Sequence, residues 1–283
     1  MNVRLARTSG FCMGVKGAVD IAIKAGTNSP ERIYTDGPLI HNPQVVKELE
    51  KKNIYPLKDI SLIDKDSIVI IRSHGISVDR IDLLKEKGVK VLDATCPRVK
   101  NLHEIVKKYA KKKYTIVIIG QKEHPEVQGV CGYLKDNFYV VDSPDEAEKL
   151  FLPDNVCVAS QTTQNLENFN KIVSIIREKS KNAEIFNTIC PTTKKRQEEL
   201  AMLAKECDVL VVVGGKNSGN TKRLYEIAQK SGKPSFFIET YNELKEEDFK
   251  NFNTAGVIGG ASTPDRIIKD VVNRLSSFKS KEY

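Results

Sequence analysis

Three cysteines in this chain share the local form Cys-x-x-x-Lys: Cys12 with Lys16, Cys96 with Lys100 and Cys190 with Lys194. Two of them are followed directly by proline, Pro97 and Pro191, and the three are spaced 84 and 94 residues apart. A polar loop lies 28 or 29 residues beyond each cysteine, at His41, His124 and Ser218. A second follows at His74, Thr162 and Ser262. Matched units of this size predict a pseudo-three-fold protein, with lobes over 1–96 (carrying Cys12), 97–191 and 192–283 that together make one compact unit.

The segments between these marks alternate in character. SIVIIRS (67–73), YTIVIIG (114–120), NVCVASQ (155–161), DVLVVVGG (208–215) and AGVIGG (255–260) are short, unbroken apolar runs rich in Val and Ile. Such runs suit strands of a mainly parallel sheet, covered on both faces. Helical periodicity lies between them, as in VVKELEKK (45–52), LENFNKIVSIIREK (166–179) and RLYEIAQKSG (223–232). The expected class is therefore α/β, with ligands collecting beyond the carboxyl ends of the strands. No apolar run is long enough to span a membrane, and the start MNVRLARTSGFCMGV lacks a signal-peptide core, so the cytoplasm is expected. A net charge of +8 suits an anionic substrate or an acidic protein partner. Nucleic acid is disfavoured, because the lysines are scattered along amphipathic segments such as KKYAKKKY (107–114) without interleaved aromatics.

Cysteine is often a buried structural residue, and a compact C-x₂-C run is absent. The repeat favours ligation for Cys12, Cys96 and Cys190, because each precedes a helix at an equivalent position. Cys131, Cys157 and Cys207 lack that equivalence and read as packing residues. Three thiolates on a four-iron cluster would leave one iron open, much as catalytic zinc keeps an open position. His41, His74 and His124 each fall in a loop after a strand, suited to neutralising phosphate, whereas His103 in NLHEIVKKY reads as a surface residue. Glu126 is evenly balanced between a helix-dipole role after Pro125 and a proton donor. GGKNSGNTKRL (214–224) and GGASTPDR (259–266) resemble phosphate-holding loops at helix starts without being P-loops. A zinc phosphohydrolase and a non-catalytic phospho-ligand binder remain open on these residues alone.

The set SGFCMGV, IHNP, RSHG, ATCP, KEHPE, SQTT, ICPTT, KNSGNT and GGASTP, in this order, closely resembles the 4-hydroxy-3-methylbut-2-enyl diphosphate reductase (LytB/IspH) family over essentially the whole chain. The resemblance implies three α/β lobes around a central [4Fe–4S] cluster on Cys12, Cys96 and Cys190, with one iron lacking a protein ligand. It implies a diphosphate held by His41, His74, His124, Ser218, Gly219, Asn220 and Ser262, with Thr162 and Glu126 near the substrate hydroxyl and Glu126 in the proton relay. Gly219 stands where the family often has a second serine, so only its backbone N–H is on offer. The implied reaction is reductive removal of the allylic hydroxyl, giving isopentenyl or dimethylallyl diphosphate, the last step of the non-mevalonate isoprenoid pathway. The implied partner is an electron donor of ferredoxin or flavodoxin type.

Overall fold

The computed structural model describes residues 1–28 and 31–279. Its strands form three four-stranded sheets, and every pairing in them is parallel. The first sheet contains β2 (Ile33–Thr35), β3 (Ile54–Pro56), β4 (Ile68–Ile71) and β5 (Lys90–Asp93), in the order β3-β2-β4-β5. The second contains β6 (Thr115–Ile119), β7 (Phe138–Val141), β8 (Asn155–Ser160) and β9 (Asn182–Ile185), in the order β7-β6-β8-β9. The third joins β1 (Asn2–Leu5) to β10 (Val209–Val213), β11 (Ser235–Ile238) and β12 (Thr254–Gly259), in the order β1-β12-β10-β11. The helices between strands are α1 (Met13–Asn28), α2 (Pro43–Glu50), α3 (Val78–Glu86), α4 (Pro97–Lys111), α5 (Pro125–Cys131), α6 (Pro144–Glu148), α7 (Leu166–Lys179), α8 (Pro191–Glu206), α9 (Gly219–Lys230) and α10 (Asp265–Ser276).

Apolar strands with no polar alternation need cover on both faces, and the second sheet shows how that is met. Val117, Ile119, Val156 and Val158 face α7 through Phe169, Ile172, Val173 and Ile176. The intervening residues Ile116, Ile118, Cys157 and Ala159 face α4 through Leu102, Val106 and Tyr109. The third sheet repeats the pattern. Val209, Val211 and Val213 meet Ile267, Val271 and Leu275 of α10, while Leu210 and Val212 meet Leu200 and Leu203 of α8 and Leu224 of α9. The unbroken runs thus serve two packed layers, as a period of two along each strand requires.

The sheets and compact units do not follow the expected bounds 1–96, 97–191 and 192–283 throughout. β1 and Cys12 belong with the C-terminal third, because β1 pairs with β12 from Asn2↔Thr254 to Leu5↔Val257 and the Ala6 N–H continues the ladder to the Val257 carbonyl at 2.9 Å. β1 covers the side of β12 that would otherwise present unpaired N–H and C=O groups. The chain divides into two compact units: Met1–Val15, His41–Val45 and everything from Pro191 on form one, and Lys16–Ile40 with Val46–Cys190 form the other. The smaller assembly holds the third sheet, and the larger holds the first and second. Among the described residues no helix is long and apolar enough to cross a membrane.

Candidate active site

In all three sheets the same strand positions carry the same kind of residue. His41, His124 and Ser218 follow β2, β6 and β10. His74, Thr162 and Ser262 follow the neighbouring strands β4, β8 and β12, and Cys96, Cys190 and Cys12 follow the outer strands β5, β9 and β1. Each cysteine is tied to the adjacent turn by its backbone. The Cys96 N–H donates to the Ser73 carbonyl at 3.0 Å, that of Cys190 to the Thr162 carbonyl at 2.8 Å, and that of Cys12 to the Ala261 carbonyl at 3.1 Å. Each also immediately precedes a helix, namely α4, α8 or α1. The partial positive charge of a helix N-terminus favours an anionic sulfur ligand there. The Val15 N–H points at the Cys12 Sγ at 3.4 Å.

None of the six cysteines is in a disulfide. Burial pushes the Cys131 thiol up to about 11 and the Cys157 thiol to about 12, and raises that of Cys207. Thiols so placed resist becoming the thiolates that metal ligation needs. Cys12, Cys96 and Cys190 are half-buried, as is Cys131, whereas Cys157 and Cys207 are buried.

In the larger unit Glu126 is 2% exposed. The Thr162 N–H donates to its Oε1 at 2.6 Å, and the Thr162 hydroxyl donates to Oε2 at 2.7 Å. Burial raises its pKa from 4.5 to about 7, while the two bonds from Thr162 pull the other way. Desolvation wins because a carboxylate loses more on leaving water than two neutral donors return. The His124 Nδ1 accepts the Glu126 N–H at 3.2 Å, so His124 caps α5 and its Nε2 carries the proton in the neutral ring. The His74 ring meets His124 edge-on, with centroids 5.7 Å apart. Gly75 adopts φ +71° and lies against the His103 ring, so the turn bearing His74 has no room for a side chain.

His103 is not a surface residue: it is 5% exposed, and burial lowers its pKa to about 4, leaving it neutral. The reason lies in α4, whose buried residues Val99, Leu102, His103, Val106 and Tyr109 form one helical stripe. That spacing was available in the sequence and outweighs the polarity of the single histidine.

In the smaller unit, Ser218 caps α9 by accepting the Thr221 N–H at 3.4 Å, and Gly219 and Asn220 form the first turn. Asn220 is 4% exposed, and its Nδ2 is buried with no hydrogen-bond partner. A buried amide left unsatisfied is costly unless a ligand completes it. The Ser262 hydroxyl donates to the His41 carbonyl at 3.2 Å. Asn42 was not singled out in the sequence, yet it shares this environment. It is 1% exposed, its Oδ1 caps α2 through the Val45 N–H at 3.1 Å, and its Nδ2 also lacks a partner. The signal that could have found it is an asparagine directly before a helix-opening proline.

A Cβ at Gly215 would stand inside van der Waals contact of the His41 carbonyl oxygen. Gly215→Ala is therefore expected to push the His41 segment away, costing about 1–3 kcal/mol of stability. Thermal unfolding checks this, with Tm expected to fall.

A LytB protein family model matches residues 3–276. The chain belongs to the LytB family. It is 42% identical over 285 residues to the 4-hydroxy-3-methylbut-2-enyl diphosphate reductase of Caldanaerobacter subterraneus subsp. tengcongensis, covering 100% of this chain and 99% of the relative. The solved E-1-hydroxy-2-methyl-but-2-enyl-4-diphosphate reductase of Plasmodium falciparum superposes with a TM-score of 0.94 at 29% identity, covering 100% of this chain and 91% of that one. A second solved structure, (E)-4-hydroxy-3-methyl-but-2-enyl diphosphate reductase, is described as the terminal enzyme of the non-mevalonate pathway. It gives a TM-score of 0.70 at 42% identity over 97% of this chain and 99% of that one. The three parallel α/β sheets are thus the fold of this family.

Proposed function

We propose that this chain is an iron–sulfur oxidoreductase that removes the allylic hydroxyl of (E)-4-hydroxy-3-methylbut-2-enyl diphosphate to give isopentenyl and dimethylallyl diphosphate, the last step of the non-mevalonate route to isoprenoids. The observation that carries the reading is the buried Glu126 carboxyl, which accepts the Thr162 N–H and hydroxyl through its two oxygens and whose pKa burial raises to about 7. Full-length kinship to reductases of this substrate supports the substrate class.

The conversion consumes two electrons and two protons. The C–O bond breaks, the oxygen leaves as water, and protonation of the resulting allylic anion at either end gives the two products. His41, His74, His124, Ser218, Asn220 and Ser262 are assigned to the diphosphate, with Gly219 contributing its backbone N–H at the start of α9. Thr162 and Glu126 are assigned to the hydroxyl. A proton passed from Thr162 Oγ1 to the departing oxygen is replaced from Glu126 Oε2, 2.7 Å away. When bound through Cys12, Cys96 and Cys190, a [4Fe–4S] cluster with one iron lacking a protein ligand supplies electrons and a Lewis acid for the hydroxyl oxygen. Among the described residues no three His, Cys, Asp or Glu form a single-ion site. The net charge of +8 suits docking of an acidic electron donor of ferredoxin or flavodoxin type.

Anaerobic iron and acid-labile sulfide analysis, followed by an assay with reduced viologen, tests the reading. Iron and sulfide with turnover to both products are expected. A colourless zinc protein, or a loaded protein that binds the diphosphate without turnover, would overturn it.

A further inference from the structure

A cavity of about 290 Å³ opens in the larger unit between the N-terminal turn of α3 and helix α5, away from the carboxyl of Glu126. Its charged lining is two arginines and one aspartate: Arg72 after β4, Arg80 on α3, and Asp36 after β2. Asp36 is 3% exposed and pairs with the Arg80 Nε at 2.6 Å. Arg72 packs its guanidinium over Gly37, where a Cβ would come within 3.0 Å of Nη1, and its buried Nε has no hydrogen-bond partner. Burial lowers its pKa, Asp36 works against that shift, and Arg80 adds to it. One carboxylate therefore faces two guanidinium groups, leaving a positive charge in the wall without its counterion. Ser77 lines the same cavity as the N-cap of α3, yet its hydroxyl makes no capping bond. A helix of 9 residues begins there, adding its own preference for negative charge.

We propose that this cavity binds a small oxyanion of the phosphate class, held by Arg72 and Arg80 with the Ser77 hydroxyl as a third donor. Guanidinium forks match the paired oxygens of phosphate, and charge-assisted bonds to a partly desolvated arginine are among the stronger ones available. The volume lies at the lower end of small-molecule pockets, enough for phosphate with its waters or a small phosphate ester. The site is separate from the diphosphate residues but adjoins them through the chain. Arg72 lies two residues before His74, Gln128 of the cavity wall lies two after Glu126, and a Cβ at Gly129 would come within 3.6 Å of the Gly75 backbone. A bound anion would therefore brace the His74 turn and α5 together.

Calorimetric titration of inorganic phosphate into the anaerobically prepared holoprotein counts the anions. The parent protein is expected to take up one more phosphate per chain than Arg72→Gln or Ser77→Asp. Serine-to-aspartate keeps a favoured N-cap residue and brings a carboxylate to the arginines; this variant is expected to keep or raise the Tm while losing the phosphate. It decides the matter even where Arg72→Gln folds poorly. Equal phosphate counts in the parent and Ser77→Asp would overturn the proposal. The outcome does not depend on whether the protein turns over the allylic diphosphate, which the viologen assay reads separately.

Discussion

Replacing Glu126 by glutamine is expected to cut turnover by about 10²–10⁴-fold, the usual contribution of a positioned proton donor. The substitution is nearly isosteric. The amide oxygen can still accept the Thr162 N–H, and the amide N–H₂ can donate to the Thr162 hydroxyl, so both contacts at 2.6 and 2.7 Å have replacements. What is lost is the transferable proton, so diphosphate affinity is expected to change little while kcat falls. In the parent protein kcat is expected to fall as pH rises through about 7, because the proposed relay draws on the acid form of Glu126. Linkage gives a second readout that needs no turnover. A carboxyl whose pKa rises from 4.5 to about 7 on folding binds more protons in the folded state between those values. Its contribution to stability is fully present below about 4.5 and is lost as pH climbs to about 7. Glu126→Gln removes that term. The Tm of the parent relative to the variant should therefore decline across this window and then level off. A flat difference would mean that Glu126 is ionised in the folded protein and is not the acid.

The strands and most helices were legible because their periods are strong. IVII and VLVVV read as strands covered on both faces, and sheets with α7 on one side and α4 on the other bear this out for the second lobe. What the sequence could not reveal was pairing between distant segments. β1 sits at the start of the chain yet completes a sheet whose other strands begin at Val209, because parallel pairing is indifferent to sequence distance. The even balance over Glu126 had the same origin. Its place in the first turn of α5 is visible locally, whereas its bond to Thr162, 36 residues away, is not. His103 shows the converse, since its helical stripe was present in the sequence and its polarity hid it. The repeat survived because equivalent strands end in equivalent turns: cysteine N–H groups reach Ser73, Thr162 and Ala261 in the three sheets alike.

That repeated bond makes the cysteine series the other large effect to expect. Cys12→Ala, Cys96→Ala and Cys190→Ala are each expected to lose most of the bound iron and sulfide, with turnover falling to background, because alanine offers no electron pair to replace the thiolate. Their backbone N–H bonds persist, so each protein should fold, and thermal unfolding of the metal-free forms should differ little from the parent. Cys157→Ala is expected to show the opposite pattern. Cys157 is 0% exposed and packed in the core of the second sheet, so removing its sulfur leaves a small void costing about 1–2 kcal/mol. Its iron content should stay at the parent level. The comparison separates ligation from packing, because a generally destabilised fold would lower iron and Tm together, whereas lost ligation lowers iron alone. Retention of full iron by any one of the Cys12, Cys96 or Cys190 variants would remove that residue from the ligand set. It would also break the three-fold equivalence on which the assignment of the other two depends.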